Sequence, residues 1–420
     1  MTIGATWRGA AAILFGLVAL AGVARPAAAE DKTPIKIGII AEESALLGKS
    51  IIDGARLAVA DINAKGGVNG HQLELVVYDD HSSAADAVRA YQRAVQEDHV
   101  SGVVSTFISE VYLALEPWAA RLKMPTITAA AASNLITKQV HDDYDKFKYV
   151  FEGWLPAPII AQAVCDSSRD LFVDMLHMKT AAMMSEDADW TTPLDAAQAD
   201  CLPKAGLQVV DHERFNPDTT DFTPIFSKIE AAQPDVIITG IAHVGVQPTV
   251  QWHDQHVPIP MGGNSGQATN PEFWKTTNGA AGGVITQTGT VPGVALTPMT
   301  LSVADEFVKA TGKFPAFTGF TSYDDVRVLA EAMQRAGSTD PDKVVAEMEK
   351  TDMVGTLGHY GFYGRGDTYT HAMRYGPKDV TGVFMQWQDG NQVCIWPRDK
   401  CPNPMKFPDF VKTPEQRAAN

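Results

Sequence analysis

The amino-acid sequence predicts an α/β fold built on parallel sheets, and three observations carry that prediction. Residues 35–40 (IKIGII) form a short β-branched run, long enough for one buried strand and too short for a helix. After a polar loop at 42–49, Ile51, Ala55, Leu57, Ala58 and Ile62 recur at helical spacing until Gly66 and Gly67 stop them, and residues 72–78 read as a second strand. A strand, a helix and a strand in that order make a parallel pair, which puts ligand-contacting loops at the carboxyl ends of the strands. The third observation is size: 420 residues, 45% of them hydrophobic, are enough for two domains of this kind. The loop at 42–47, with Glu42 and Glu43, is therefore the first candidate ligand-contacting segment.

The alternation continues along the chain. Residues 84–96 place Ala87, Val88, Tyr91 and Val95 on one helical face, and 100–104 is a buried strand. A polar segment at 105–110 leads into a helix over about 111–122, and 125–128 is a strand followed by the small-residue loop 129–133. A strand, a small polar loop and a helix N-terminus expose backbone N–H groups at a partly positive pole, where a carboxylate fits without a basic side chain. A second series follows: helix 159–175, strand 180–184, helix 195–205, strand 208–211, helix 222–231, strand 236–239, helix 246–253 and strand 259–262. Helices are expected at 301–311, 318–336 and 340–350, the middle one with an apolar stripe of Tyr323, Val326, Leu329, Ala330 and Met333. Residues 358–365 and 380–396 read as hairpin-like strands, and the Pro-rich, charged stretch 404–420 as a surface tail.

The formal net charge is −16 and no basic block offers a surface for a phosphate backbone, so nucleic acid is not an expected partner. Residues 1–29 read as a secretory signal peptide, with Arg8 in the n-region, an apolar core at 10–23 and Ala27-Ala28-Ala29 as the cleavage site. That core falls short of the ~20 strongly apolar residues of a spanning helix, so a soluble exported chain in the periplasm is expected. Four cysteines, Cys165, Cys201, Cys394 and Cys401, favour disulfides in such a compartment, with three connectivities open. A Cys394–Cys401 bond would close a small loop around Pro397, and a Cys165–Cys201 bond would staple two helices. Four buried free thiols are the other reading, and the absence of a CxxC pattern speaks against structural zinc.

The loop after the first strand, the segment DGARLAVADINAKGGVNG and the strand ending in Asp79-Asp80 resemble the solute-binding proteins of branched-chain amino acid ABC transporters, in spacing as well as composition. The resemblance runs over about residues 34–396. It implies a type I periplasmic binding protein: two Rossmann-like lobes with parallel-sheet cores, joined by three hinge crossings. The first lobe would comprise 30–151 plus 285–375, the second 152–284 plus 376–403, and the tail 404–420. A monomer of this kind holds a small solute between its lobes and delivers it to an inner-membrane ABC permease, without cofactor, metal or catalysis.

Carried over residue by residue, the resemblance gives Ser109 and the neighbouring backbone N–H groups the ligand's carboxylate; a helix N-cap is the plainer role for this serine. Ala130 stands where a backbone carbonyl meets an ammonium. Ala132 stands where the family has threonine, and Asn264 where the second lobe supplies an acid. Two of three ammonium-recognising features are thus missing, and a neutral amide cannot offset a buried ammonium. The acids left to replace them are Glu42, Glu43 and Glu110. Trp190, in the segment DADWT, stands for the aromatic lid. Glu152 replaces an arginine, and Phe107, Trp154 and Trp190 together outline a flat apolar slot. Tyr323 is a further cleft candidate, despite its place on an apolar stripe. The ligand this reading favours is a small carboxylate with an apolar or aromatic group. The alternatives are a branched-chain or other amino acid, an amine or amide (including a quaternary amine countered by Glu152 or Glu43), or ligand sensing without transport.

Three chemical motifs fail on their own terms. Gly48-Lys49-Ser50 ends like a phosphate-binding loop, but Glu43 occupies the position of its first glycine. His253-x-x-His256 lacks the acidic partner of a zinc hydrolase. No serine–histidine–acid set has a nucleophile-elbow context, which disfavours a secreted amidase or esterase.

Overall fold

The computed structural model of the protein describes residue 1, residues 4–6 and residues 33–418; the core and cleavage site of the expected signal peptide lie outside the described residues. Strands β1 (Ile35–Ile40), β2 (Leu73–Tyr78), β3 (Gly102–Ser105), β4 (Thr126–Thr128) and β5 (Val150–Glu152) form one sheet in the order β2-β1-β3-β4-β5. Every pairing in it is parallel. The helices between these strands are α1 (Leu46–Ala64), α2 (Ala84–Gln96), α3 (Ser109–Leu122), α4 (Asn134–Asp142) and the short α5 (Tyr144–Phe147). α6 (Ala157–Ser168) then opens the second half, and its last turns loosen into a π-helix over Arg169–Asp174, which reaches the expected end of that helix in a wider winding.

The second parallel sheet has the order β7-β6-β8-β9, from β6 (Thr180–Glu186), β7 (Gln208–Phe215), β8 (Val236–Ile241) and β9 (Met261–Ser265). Its connections are α7 (Thr191–Ala205), α8 (Thr223–Ala232) and α9 (Gln247–Asp254), with α10 (Phe273–Thr276) after β9. β10 (Ile285–Thr288) lies beside β9, where Thr286 Oγ1 accepts from the Ser265 N–H at 2.8 Å. The remaining elements are α11 (Thr300–Thr311), α12 (Phe317–Ala336), α13 (Pro341–Met348), β11 (Met353–Val354), β12 (His359–Tyr360), β13 (Val383–Gln388), β14 (Asn391–Trp396) and α14 (Pro414–Ala418). β10 pairs antiparallel with β13, and β13 with β14. Residues 285–288, which the resemblance assigns to the first lobe, therefore sit at the flank of the second sheet, and the chain leaves that side only after Thr288.

One further expectation is sharpened and another changes. The segment after 403 lies on the surface and is anchored there. Val411 is buried, Phe410 meets Trp252 edge-on at 5.2 Å, and the Lys412 N–H donates to the Pro258 carbonyl at 2.9 Å. Apolar residues among its prolines give it a face to bury. Glu152 is not available as a counter-charge in a cleft. It is fully buried at the end of β5, where its backbone joins His371 and Met373 and so ties the first crossing to the last. Glu116 and Asp325 are buried nearby in sequence-distant elements, with Asp325 packed so closely on Gly153 that a Cβ there would lie 2.3 Å from its Oδ1. None of these three carboxyl groups has a hydrogen-bond partner among the described residues. Burial pushes each of them well above the usual carboxylate range, with added repulsion from Glu116 at Glu152 and from Asp324 at Asp325.

One close approach sets the shape of the first lobe. A Cβ on Gly54 of α1 would fall 2.1 Å from the carbonyl oxygen of Gly319 in α12, so only glycine lets these helices nest at this depth. Thr318 Oγ1 donates to the Leu47 carbonyl at 2.9 Å and Ser322 Oγ to that of Ile51 at 2.8 Å, which fixes the register of the pair.

The expected disulfides are both present, Cys165–Cys201 between α6 and α7 and Cys394–Cys401 after β14, closing sequence separations of 36 and 7. Loop-closure entropy makes the longer one worth more: replacing Cys165 and Cys201 by serine should lower the unfolding free energy by about 3–4 kcal/mol, against about 2–3 kcal/mol for the Cys394 and Cys401 pair, in urea titrations at pH 7. A second outcome concerns Glu152. Because its folded-state pKa is raised, the unfolded chain releases this proton first, and stability falls as pH climbs from about 4.3 towards the folded value. Glu152→Gln should therefore raise the thermal midpoint at pH 8 and leave it unchanged at pH 4. An equal shift at both pH values would show that the carboxyl is not held protonated.

Candidate functional site

A narrow cavity lies between the two parallel sheets, and residues that follow the carboxyl ends of strands make most of its wall. Seven sequence-predicted residues meet there: Phe107 and Ser109 after β3, Ala130 and Ala132 after β4, Trp154 after β5, Trp190 after β6 and Asn264 in β9. Leu47 and Phe317 enter because α1 and α12 nest with their N-termini side by side. His243, Thr269, Gln287 and Thr288 add to the polar part of the wall. No aspartate or glutamate side chain lines this cavity among the described residues.

Ser109 acts differently from an N-cap. The cap position of α3 is Ile108, which offers no side-chain bond, and Ser109 is the first helical residue. Its Oγ accepts the backbone N–H groups of Ala132 at 3.2 Å and Ser133 at 3.1 Å, tying the loop after β4 to the start of α3. Those two N–H groups are therefore engaged by the serine rather than turned to a ligand. The Ser109 O–H and the uncapped first turn of α3 are the donors left at this wall.

The apolar wall is aromatic. Trp154 lies 5.1 Å from Phe317, ring centre to ring centre, and is 4% exposed. Trp190 is 5% exposed. Phe107, from the first-sheet side, stacks on His243, from the second-sheet side, at 6.3 Å with the rings 18° from parallel. This pair closes the mouth of the cavity. Just outside it, Glu110 Oε1 accepts the Asp189 N–H at 2.8 Å and latches the two sides together.

Behind the second-lobe wall lies Glu186, at the last position of β6 and fully buried. Its Oε1 accepts from Trp190 Nε1 at 3.0 Å and faces His243 Nδ1 at 2.6 Å, while Oε2 accepts the His243 backbone N–H at 2.8 Å. Burial pushes the Glu186 carboxyl up, but the hydrogen bonds and charge of His243 outweigh it and hold it below its ordinary range. Burial likewise lowers the His243 pKa, and Glu186 more than reverses the effect, so the imidazole is a stronger base than a free histidine. At the other side of the cavity Asn264 Nδ2 donates to Gln287 Oε1 at 3.4 Å, and Gln287 Nε2 to the Thr381 carbonyl at 3.2 Å.

Several sequence-predicted residues do not belong to the cavity, Glu110 and Glu152 among them. Glu43 is exposed, with its backbone N–H on Asp79 Oδ1 at 3.3 Å; the polar loop turns its acids outward and only Leu47 inward. Its neighbour Glu42 lines an outer vestibule together with Glu110 and Asp187. Tyr323 donates to Asp61 Oδ2 at 2.6 Å between α12 and α1, so the apolar stripe, not the cleft, claims it. His243, Phe317, Gln287 and Thr288 were missed. The signal for His243 was present: residues 242–246 directly follow the buried strand VIITGI, at a carboxyl end like the other ligand loops.

A family profile described as periplasmic binding protein matches residues 34–379, and the chain belongs to that family. An amino acid binding protein of Pseudomonas aeruginosa is 28% identical over 329 residues, covering 75% of this chain and 81% of that one. A leucine binding protein of Thermotoga maritima superposes with a TM-score of 0.73 at 22% identity, over 90% of this chain and 100% of the other. An ABC-transporter solute-binding protein of Rhodopseudomonas palustris, in complex with 3,4-dihydroxybenzoic acid, superposes with a TM-score of 0.72 at 20% identity, over 91% and 99%. The protein is thus a periplasmic binding protein, and the relatives it matches are binding proteins rather than enzymes. No helix among the described residues is long and apolar enough to cross a membrane.

The Glu186 arrangement has a measurable consequence. An amide in its place cannot accept from both Trp190 and the two His243 groups, so Glu186→Gln should cost about 2 kcal/mol of stability at pH 7. Urea denaturation followed by tryptophan fluorescence would measure it. A cost below about 0.5 kcal/mol would show that this carboxylate does not organise the wall.

Proposed function

We propose that the protein captures a small carboxylic acid bearing an apolar, preferably aromatic, group and delivers it from the periplasm to the permease of an ABC importer. One observation carries the reading: among the described residues the cavity wall has four aromatic side chains and no carboxylate, and its only ionisable side chain is a histidine. An α-amino acid brings an ammonium that needs an anionic or multiply accepting partner once water is excluded. Ala132 offers it no hydroxyl, Asn264 only a neutral amide, and the nearest glutamates face the vestibule or the interior. A flat acid avoids this cost. Its ring fits between Trp154, Phe317 and Trp190, and its carboxylate meets the Ser109 O–H and the first turn of α3.

The fold is shared with solute-binding proteins of Rhodopseudomonas palustris solved with benzoate, 3,4-dihydroxybenzoic acid and 4-hydroxybenzoate, which supports the ligand class. It is shared equally with a protein solved with isoleucine, so the wall chemistry and not the fold decides between them. The lobes close by bending at the three crossings, and the Glu110–Asp189 and Phe107–His243 contacts hold the closed form.

Mass spectrometry of the solute released when the purified protein is denatured tests the reading directly, with an aromatic or apolar acid expected. In calorimetric titrations benzoate should bind and leucine should not; tight leucine binding would overturn the proposal. Trp190→Ala should weaken benzoate binding by at least ~1 kcal/mol, as loss of a buried aromatic contact does. Unchanged affinity would remove Trp190 from the site.

A further inference from the structure

We infer that His243 is the charged anion donor of the cleft, acting on the same carboxylate as Ser109, its imidazolium Nε2–H donating to the captured solute, so that binding takes up a proton. The inference rests on the proposed function and adds the residue and protonation state that set its charge preference. His243 has two ring nitrogens, and Nδ1 is committed to Glu186 Oε1 at 2.6 Å. The backbone N–H of the same residue is also bound to Glu186, at 2.8 Å, so neither the loop nor the ring is free to turn. Nε2 is the one ring atom left. It is buried, has no hydrogen-bond partner among the described residues, and belongs to a side chain lining the cavity. Phe107 stacks on the ring from the opposite side and holds its edge in place.

With Nδ1–H directed at Glu186, the state of Nε2 decides what the cleft accepts. A neutral ring presents a lone pair there, which repels a carboxylate. A protonated ring presents an N–H, and the charge-assisted bond to a carboxylate is the strong kind. Two acids favour protonation, Glu186 beneath the ring and Glu110 across the cleft, while Glu42 and Asp187 lie farther out in the vestibule. Only Glu186 touches the ring, and its oxygens are filled by His243 and Trp190. The cation is therefore balanced from behind while its remaining proton faces the solute. Glu186 already raises the pKa of the free protein, and a bound carboxylate raises it further. Between those two values, binding draws one proton from solvent onto Nε2, and affinity falls as pH rises through them.

Calorimetry with benzoate as the probe, from pH 6 to pH 9 and in buffers of different ionisation enthalpy, tests this. The expected result is proton uptake on binding, an affinity at least 10-fold weaker at pH 9 than at pH 6, and 10–100-fold weaker binding by His243→Gln at pH 6 with the pH dependence abolished. Benzamide, the uncharged isostere, should bind the wild type at least 10-fold more weakly than benzoate, a comparison that needs no variant to fold. Benzoate binding that is independent of pH, or equal in His243→Gln and wild type, would overturn this inference and leave the proposed function standing. Failure of the wild type to bind benzoate or any other aromatic acid at pH 6 would overturn both.

Discussion

A single buried carboxylate constrains the second-lobe wall. Glu186 ends β6 with no exposure to solvent, and a charge there is tolerable only if donors surround it. The donors come from two different places in the chain: the indole of Trp190 at the start of α7, and the ring and backbone of His243 after β8. Satisfying one oxygen pair therefore positions the aromatic lid and the cationic edge together. Their relative placement is thus coupled through the carboxylate between them.

The first-lobe wall rests on a different constraint, the closeness of two helices. Gly54 and Gly319 let α1 and α12 approach until their N-terminal residues, Leu47 and Phe317, reach the same cavity. Ser109 performs the matching task for α3 and the loop after β4, spending its lone pairs on Ala132 and Ser133. Each lobe is thus tied together by close packing or hydrogen bonds up to the cleft. At the crossings the backbone of Glu152 runs between His371 and Met373, with carboxyl groups held neutral by burial in place of an ion pair. A neutral interior acid resists bending less than a salt bridge would, because no strong directional bond must break as the crossings flex.

The sequence made most of this legible, for reasons that also explain the failures. Strands such as β1 and β8 are continuous β-branched or apolar runs, and helices such as α2 carry clean stripes, so period and breakers suffice to find them. Phe107, Ser109, Ala130, Ala132, Trp154, Trp190 and Asn264 come together because each lies at or just after the carboxyl end of a strand, which is a statement about order along the chain. Tyr323 and Glu43 were misplaced because direction, not order, decides them: one stripe turns the tyrosine to Asp61, and one loop turns its acids to solvent. Phe317 depends on a glycine contact between helices more than 250 residues apart, for which a single sequence holds no local sign. His243 had the right position and was passed over because an isolated histidine in a loop carries no pattern.

The placement of charge across the cleft separates two kinds of solute more sharply than affinity alone. Discrimination is a difference between free energies, and a wall can widen it by penalising the wrong ligand as well as by rewarding the right one. An ammonium in this cavity would lose its water, find no carboxylate, and stand in the field of the His243 imidazolium, so each term opposes it. A carboxylate meets the opposite balance. The acids that would favour an ammonium, Glu42, Glu110 and Asp187, are present, but they lie in the vestibule beyond the Phe107–His243 pair. There water screens them, and Glu110 alone among them also helps raise the pKa of His243. An acidic rim and an anion-accepting interior are therefore compatible: the rim acts on His243, and His243 acts on the solute.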